Sequence, residues 1–533
     1  MTRQRLGVID IGSNTIRSLV VDAAPDGSWR VLDDEREVAR LAAGLTRRGG
    51  LSARAVGRAV AALKRMSEIA RARGVRRLSV VATSALRNAG NRRQFVERVR
   101  AATGLRVRVI SGAEEAHLAF ESAAQSFDLA DRPCAVVDVG GGSTEVILAF
   151  GSHIQQVHSL SLGSVALTEE YLRSDPVKRR EFKALRSEIR RQLKAARIEA
   201  DPPPQSVIAS GGTASALAQM VMARQGLEGR PAQGFELSQA EVQHVRRALL
   251  RRTLAERRHV PGLSSDRADI IIAGVSILYE LLDHLNVNTL RVSAHGIRHA
   301  ILNRMIARSR PRTVVPLRRR HRLAAAEAFA RSLRFEEAHA RQVRRIAMGV
   351  FDGLAGPLGM DHGARDLLAA AALLHDVGYV VGYRRHHKHS YRLIANAQLD
   401  GFTPREREVI ALTARYHRRS APNKRHRAWA TLARGDRDLV RRLSAILRIA
   451  DALDRRHSQG VREVRCRVTR HRVHLVLIAS RELAVELHAA EAKAGLFRNV
   501  FGRALTLKAV RMAAAGRSAA AARPLRLLRR ASA

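Results

Sequence analysis

Two apolar strands that each run into a glycine-rich turn, with an aspartate at the same place in both, constrain this chain more than any other feature. LGVIDIGSNTIRSLVV spans 6–21 and CAVVDVGGGSTEVILAF spans 134–150. Superposing Asp10 on Asp138 aligns Gly12 with Gly140, Thr15 with Ser143 and Arg17 with Glu145, and the flanking apolar residues fall into register. Such self-similarity marks a duplicated unit. Two strand–turn–strand loops facing each other across a cleft direct several backbone N–H groups at one anion, as turn nests do. Paired cradles with matched carboxylates suit a phosphate chain and its metal ion.

The 533 residues are enough for three or four domains with separate cores. Only two cysteines occur, which fits a reducing compartment and argues against a disulfide scaffold. The chain enters a strand almost at once, without a secretory n-region and h-region. Its longest apolar stretch, Ile270 to Leu282, contains Glu280 and is too short to span a bilayer. The expectation is a cytoplasmic protein without membrane insertion. The net charge of +45 predicts attraction to polyanions. Its arginines are spread along the whole chain among many alanines, so the charge argues for an anionic substrate and not for specific nucleic-acid binding.

Strand and helix patterns alternate over 1–130, where RLSVVATSAL and GLRVRVISG read as strands. They alternate again over 131–308, where SVIASGGTASAL and LRVSAHGIRHAIL each read as strand, turn and helix. Two repeated α/β halves indicate mixed sheets with helical layers. A proline-bearing, highly charged stretch at 309–321 reads as a linker. Residues 322–460 have a helical period, 461–510 read as a hairpin, a helix and a strand, and 511–533 read as a basic, disordered tail.

Within VISGAEEAHLAF, Ser111 followed by Glu114 has the spacing of a capping box at a helix start. Glu114 then reaches back to the cap. Glu115 points about 100° further round the helix and is left without that duty. A first-turn carboxylate is kept ionised by the helix dipole, so Glu115 is suited to orient and deprotonate water. Hydrolysis of a terminal phosphoanhydride needs charge neutralisation and an aligned water more than a strong nucleophile. Mg²⁺, or Mn²⁺, prefers oxygen ligands and keeps waters, which makes Asp10, Asp138 and Glu145 its expected direct or water-mediated partners. Backbone amides of the turns, with the Ser143 or Thr144 hydroxyl, would hold the phosphate.

DIGSNTIR, ATSALRNAGN, SGAEEAHLAF, DVGGGSTE, SGGTAS, RADIIIAG and SAHGIR occur in this order. As a set they resemble the exopolyphosphatase / guanosine pentaphosphate phosphatase family, over residues from about 6 to 510. The resemblance implies duplicated actin-like (ribonuclease H-like) domains followed by an all-α HD-type domain and a small α+β C-terminal domain. It makes Glu115 the catalytic base. It assigns Gly12, Ser13, Asn14 and Thr15 to the first phosphate loop, and Gly140, Gly141, Gly142, Ser143 and Thr144 to the second. Gly211, Gly212 and Thr213 of SGGTAS join them, and Arg17, Arg87 and Arg298 become basic residues of the cleft. The substrate it implies is inorganic polyphosphate or guanosine pentaphosphate, on a homodimer. Thr15 where Ser is frequent, and His299 where Glu is frequent, depart from the pattern without removing a group the chemistry needs. A non-catalytic alarmone or polyanion sensor would be free to lose Glu115 and the loops, and an actin-like kinase would need a sugar-binding signature that is not apparent.

In the helical segment, ALLHDVGY carries His375 and Asp376, with His339 upstream and Asp451 downstream. This ordered quartet resembles the ligand set of the HD phosphohydrolase superfamily and implies a second metal site, for Mn, Fe, Zn or Mg. His389 and His417 are expected as further ligands.

Overall fold

The computed structural model describes residues 3–24, 26–45, 49–129, 131–309, 319–361 and 363–511. Most of the expected linker (310–318) and the tail beyond Arg511 lie outside them. One compact unit is built mainly from Met1–Pro316 and another mainly from the chain beyond it.

In the first unit, β1 (Gln4–Ile11), β2 (Ile16–Ala23), β3 (Trp29–Glu37), β4 (Arg77–Ala82) and β5 (Val107–Val109) form one sheet, in the order β3-β2-β1-β4-β5. Val8, Ile9 and Ile11 of β1 are fully buried on both faces, as a central strand covered by two layers requires. The second sheet contains β6 (Pro133–Val139), β7 (Thr144–Phe150), β8 (His153–Leu160), β9 (Ser206–Ser210), β10 (Glu236–Ser238) and β11 (Thr289–Val292). Its order is β10-β11-β9-β6-β7-β8. Read from the other end, β8-β7-β6-β9-β11 repeats the first sheet strand for strand. The directions repeat too: β1 and β6 each pair antiparallel with the following strand, and parallel with β4 and β9 respectively. Asp10 pairs with Arg17 and Asp138 with Glu145, so the repeat in sequence is also a repeat in register.

Each repeat closes with a helix that does not stay with its own sheet. Leu118 and Phe120 of the Gly112–Ser126 helix share one hydrophobic cluster with Leu6 and Val8 of β1 and with Val136 and Ile147 of β6 and β7. Ile301 and Leu302 of the Ile297–Ser309 helix belong to the same cluster. Division of the chain near residue 130 therefore cuts through a shared core. The apolar stretch singled out in the sequence forms the Ile271–Leu285 helix, with Glu280 buried inside. Its carboxylate accepts from Arg186 Nε at 2.6 Å, from Arg246 Nη1 at 3.0 Å and from Arg190. A buried carboxylate is tolerable only with such partners. Among the described residues, no helix is long and apolar enough to cross a membrane.

The second unit is helical up to Ala452 and ends in a three-stranded sheet. β12 (Val461–Val468) and β13 (Arg472–Ala479) form the expected hairpin, and β14 (Ala504–Arg511) returns parallel to β13 after the Ala484–Phe501 helix. Arg511, expected to open the tail, is the last residue of β14. The Glu337–Ala355 helix lies against β12, through a face flattened by two glycines one turn apart. A Cβ on Gly349 would stand 3.0 Å from Val464 Cβ, and one on Gly353 would stand 2.3 Å from Cys466 Cβ.

This contact decides the sign of a substitution that helix propensity alone gets wrong. Gly353→Ala gains about 1 kcal/mol of propensity, but overpacking against Cys466 costs about 1–3 kcal/mol, so the melting temperature falls. Gly495→Ala, in the Ala484–Phe501 helix with no neighbour within 4 Å of the added methyl, raises it. Thermal melts of the two variants beside wild type measure both shifts.

Candidate active site

The two glycine turns are built alike. Gly12 N donates to Thr15 O at 3.0 Å, and Gly140 N donates to Ser143 O at 2.9 Å. They meet across a cleft lined from one side by Asp10, Gly12, Ser13, Asn14, Thr15 and Arg17, and from the other by Asp138, Gly140, Gly141, Gly142 and Ser143. A Cβ on Gly142 would come within 2.8 Å of Ser13 Oγ, so only glycine lets the turns approach this closely. Gly211 (φ +93°) and Gly212 of the third motif also line the cleft. A side chain on Gly212 would overlap the Arg267 guanidinium.

Glu115 enters this cleft from the N-terminal turn of its helix and is 7 % exposed. The helix start is half of the expected capping box. Ser111 Oγ accepts from Glu114 N at 3.1 Å, but the Glu114 carboxylate takes Arg108 and does not return to the cap. Glu115 Oε2 accepts from Arg87 Nη1 at 2.8 Å. The same nitrogen also donates to Ile110 O at 3.1 Å. Arg87 thus sits behind the Glu115 carboxylate, with Nη2 3.8 Å from Glu145, and is not among the residues lining the cleft where the sequence reading put it.

Burial pushes the Glu115 carboxyl well above the ordinary range; the nearby Glu145 adds to the rise, and Arg87 holds it back in part. Glu145, fully buried and accepting from Ser159 Oγ at 2.9 Å, is pushed up to about 7 by burial and by Asp138. Burial raises Asp10 to about 6 against the pull of Arg298, and raises Asp138 against the opposing influence of the nearby Ser210 and Arg17. Four carboxyl groups crowded into one low-dielectric place call for compensating positive charge.

Asp10 Oδ1 and Glu145 Oε2 are buried without a hydrogen-bond partner, an oxygen donor set that fits Mg²⁺ or Mn²⁺. Asp10, Asp138 and Glu145 do not, however, converge as a direct three-carboxylate ligand set. The described groups whose ligand atoms lie within 4.8 Å of one another are all in the second unit.

Two further expectations are corrected. The Thr144 hydroxyl donates to Leu162 O on the fully buried side of β7, opposite its neighbours Ser143 and Glu145. Thr213 packs under Gly274, within 2.5 Å of where a Cβ would stand there. Neither reaches the cleft. Arg298 does line it, anchored to Ser18 O and Asp34 Oδ1 at 2.7 Å each. The sequence reading gave no role to Arg267, which lines the cleft beside Arg17 and Arg298. Burial, with Arg36 and Arg17 nearby, lowers its guanidinium to about 10. Its signal was available, because it opens the quoted RADIIIAG motif.

A second cluster lies in the second unit. His339 Nε2 is 3.8 Å from Asp376 Oδ2 and 3.7 Å from Asp451 Oδ1, and His375 Nε2 is 3.3 Å and 3.8 Å from the same two oxygens. The quartet named from sequence is thus brought together. Of the two further ligands expected, His417 reaches Asp376 Oδ1 at 3.4 Å, whereas His389 belongs to neither group of potential ligands. His386, not anticipated, takes that place at 3.3 Å.

Residues 20–309 match the family model described as the Ppx/GppA phosphatase family, and residues 321–491 match Ppx/GppA phosphatase, domain III. Among solved structures the chain is similar to the Ppx/GppA family member of Aquifex aeolicus. The two are 26% identical over 58% of this chain and 100% of that one, with a TM-score of 0.50. It is also similar to an exopolyphosphatase from Cytophaga hutchinsonii, at 26% identity over 57% of this chain and 98% of that one, with a TM-score of 0.55.

A base must be ionised to work, and the raised Glu115 carboxyl loses its proton only above the ordinary carboxylate range. A reaction that uses it therefore gains rate with rising pH along an acid limb set by that group. Arg87→Gln removes the cation holding the carboxyl down, so the limb moves to higher pH. The pH–rate profile of kcat/KM for the two proteins measures the displacement.

Proposed function

We propose that this chain, which belongs to the Ppx/GppA phosphatase family, is an exopolyphosphatase that releases orthophosphate from the end of inorganic polyphosphate. The observation that carries this reading is Glu115, held by Arg87 at the rim of two glycine turns whose backbones face one space. The turn amides take the oxygens of the terminal phosphoryl group, and Arg17, Arg267 and Arg298 compensate the charge of the chain that enters. Glu115 accepts a proton from water as the water oxygen bonds to the terminal phosphorus. The bridging P–O bond breaks, and its electron pair leaves on the shortened chain. Asp10, Asp138 and Glu145 would hold Mg²⁺ or Mn²⁺, which would supply charge neutralisation. Removing a general base costs about 10²–10⁴-fold, so Glu115→Gln folds as wild type and retains less than about a tenth of its turnover. Turnover above that level rules out the base assignment.

Guanosine pentaphosphate ends in the same phosphoanhydride. The net charge of +45 and the activity named for the Cytophaga hutchinsonii relative favour the longer polyanion. On this reading the protein works in the cytoplasm as a homodimer, with a transition metal on His339, His375, Asp376 and Asp451. Phosphate release from long polyphosphate, tripolyphosphate and guanosine pentaphosphate, each with Mg²⁺ and with Mn²⁺, measures the preference. Rising salt slows hydrolysis of the long chain steeply and of the nucleotide weakly. Faster hydrolysis of the nucleotide than of long polyphosphate at every salt concentration contradicts the assignment.

A further inference from the structure

Beside the arginines that line the cleft stands a further one, Arg36, to which the proposed chemistry gives no part. Arg17 in β2 pairs in register with Asp10 of β1 on one side and with Arg36 of β3 on the other. Residues opposite one another on neighbouring strands share a face of the sheet. Asp10, Arg17 and Arg36 therefore form a row that leads from the first glycine turn to the edge of the sheet. Adjacent strands lie about 4.8 Å apart, which puts Arg36 two such steps, about 10 Å, from Asp10. Arg267, from the second half of the unit, comes close to this row. Burial, then Arg36 and then Arg17 lower its guanidinium, while burial, Arg298 and Arg36 lower that of Arg17.

Arg36 differs from Arg17 and Arg267 in being tied down. It is not among the residues lining the cleft, and its Nη2 donates to Asp266 Oδ2, from the first half of the unit to the second. The two side chains are 31 % and 26 % exposed, so solvent reaches both ends of the pair. An ion pair of that kind is weak. It is also not what holds the halves in place there. Arg40 Nη1 donates to Asp269 Oδ2 at 2.7 Å and its Nη2 to Asp266 O at 3.2 Å, and Arg298 Nη1 donates to Asp34 Oδ1 at 2.7 Å. The other oxygen of the Asp266 carboxylate accepts from Ser264 Oγ, which keeps the group in position whether or not Arg36 is bound.

We propose that Arg36 is a substrate-binding residue held in reserve by Asp266, and that the exchange between them selects for chain length. This rests on the reading of the cleft as a polyphosphate site. The terminal phosphoryl group occupies the glycine turns, Arg17 and Arg267 meet the groups behind it, and a group further back takes Arg36 from Asp266. One charge-assisted contact replaces another, and Arg40 keeps the halves together through the exchange. Only a chain long enough to reach the sheet edge makes it. A short chain meets the Asp266 carboxylate with its guanidinium still engaged, whereas a long one gains a further cation.

The test is a difference in sign, read in the full-length protein on long polyphosphate and on tripolyphosphate. Arg36→Gln raises KM for the long chain at least about fivefold, and Asp266→Asn, which frees Arg36 and removes a like charge, lowers it at least about threefold. In both variants kcat stays within about twofold of wild type, as loss or gain of uniform binding requires. Arg36→Lys keeps the charge and stays closer to wild type than Arg36→Gln. KM for tripolyphosphate changes by less than about twofold in either variant. A pair that only latches the two halves gives the same direction of change in Arg36→Gln and Asp266→Asn, and that result overturns the proposal. Equal effects on the two substrates overturn the selection for length. Should Arg36→Gln lose its fold, Asp266→Asn decides alone, and an unchanged or raised KM overturns the exchange. A wild type that hydrolyses no polyphosphate sinks the proposed function instead, so the two failures are distinct.

Discussion

The contact between Arg87 and Glu115 matters because of where it is made. Two chain segments with nearly the same pattern fold into tight turns, and the turns approach so closely that Gly142 has no room for a side chain beside Ser13. Backbone amides concentrate there, and so do Asp10, Asp138, Glu145 and Glu115. Burial favours the protonated form of each of these carboxyl groups. A guanidinium whose Nη1 donates to both Ile110 O and Glu115 holds the rise of the Glu115 carboxyl back in part. Arg17, Arg267 and Arg298, which line the cleft, offset part of the remaining charge.

The doubling of the sheet was legible because its signal is local. An aspartate at a strand end, a glycine two residues on and a second strand in fixed register recur at Asp10 and Asp138, and the pairings Asp10–Arg17 and Asp138–Glu145 repeat that spacing. The crossing of the closing helices was not legible. Periodicity shows that Leu118 and Leu302 lie on apolar faces but not which sheet receives them. Thr144 was misplaced although strand alternation puts it opposite Ser143. Arg87 was assigned to the wall because a basic residue near a phosphate site is read first as a phosphate ligand; its actual partner comes from another helix.

The same limit applies in the second unit. The His339, His375, Asp376 and Asp451 quartet stood out by order along the chain. Choosing among His386, His387 and His389 depends on the path of the turn after Asp376, which no spacing rule gives. Once folded, His386 and His417 face Asp376 Oδ1, and the rings of His339, His375 and His417 are each held by a bond at Nδ1. The first unit gathers oxygen donors in its cleft, and the second gathers nitrogen and oxygen donors within 4.8 Å of one another. Different metal preferences follow from that difference in donor set.

A crystal structure of Glu115→Gln with tripolyphosphate and Mg²⁺ tests the central claim most directly. The account predicts the terminal phosphoryl oxygens on the amides of both glycine turns, with one water held between the residue 115 side chain and the phosphorus, in line with the bridging oxygen. A terminal phosphate bound away from the turns, or a residue 115 side chain out of hydrogen-bonding reach of any water facing the phosphorus, would contradict it.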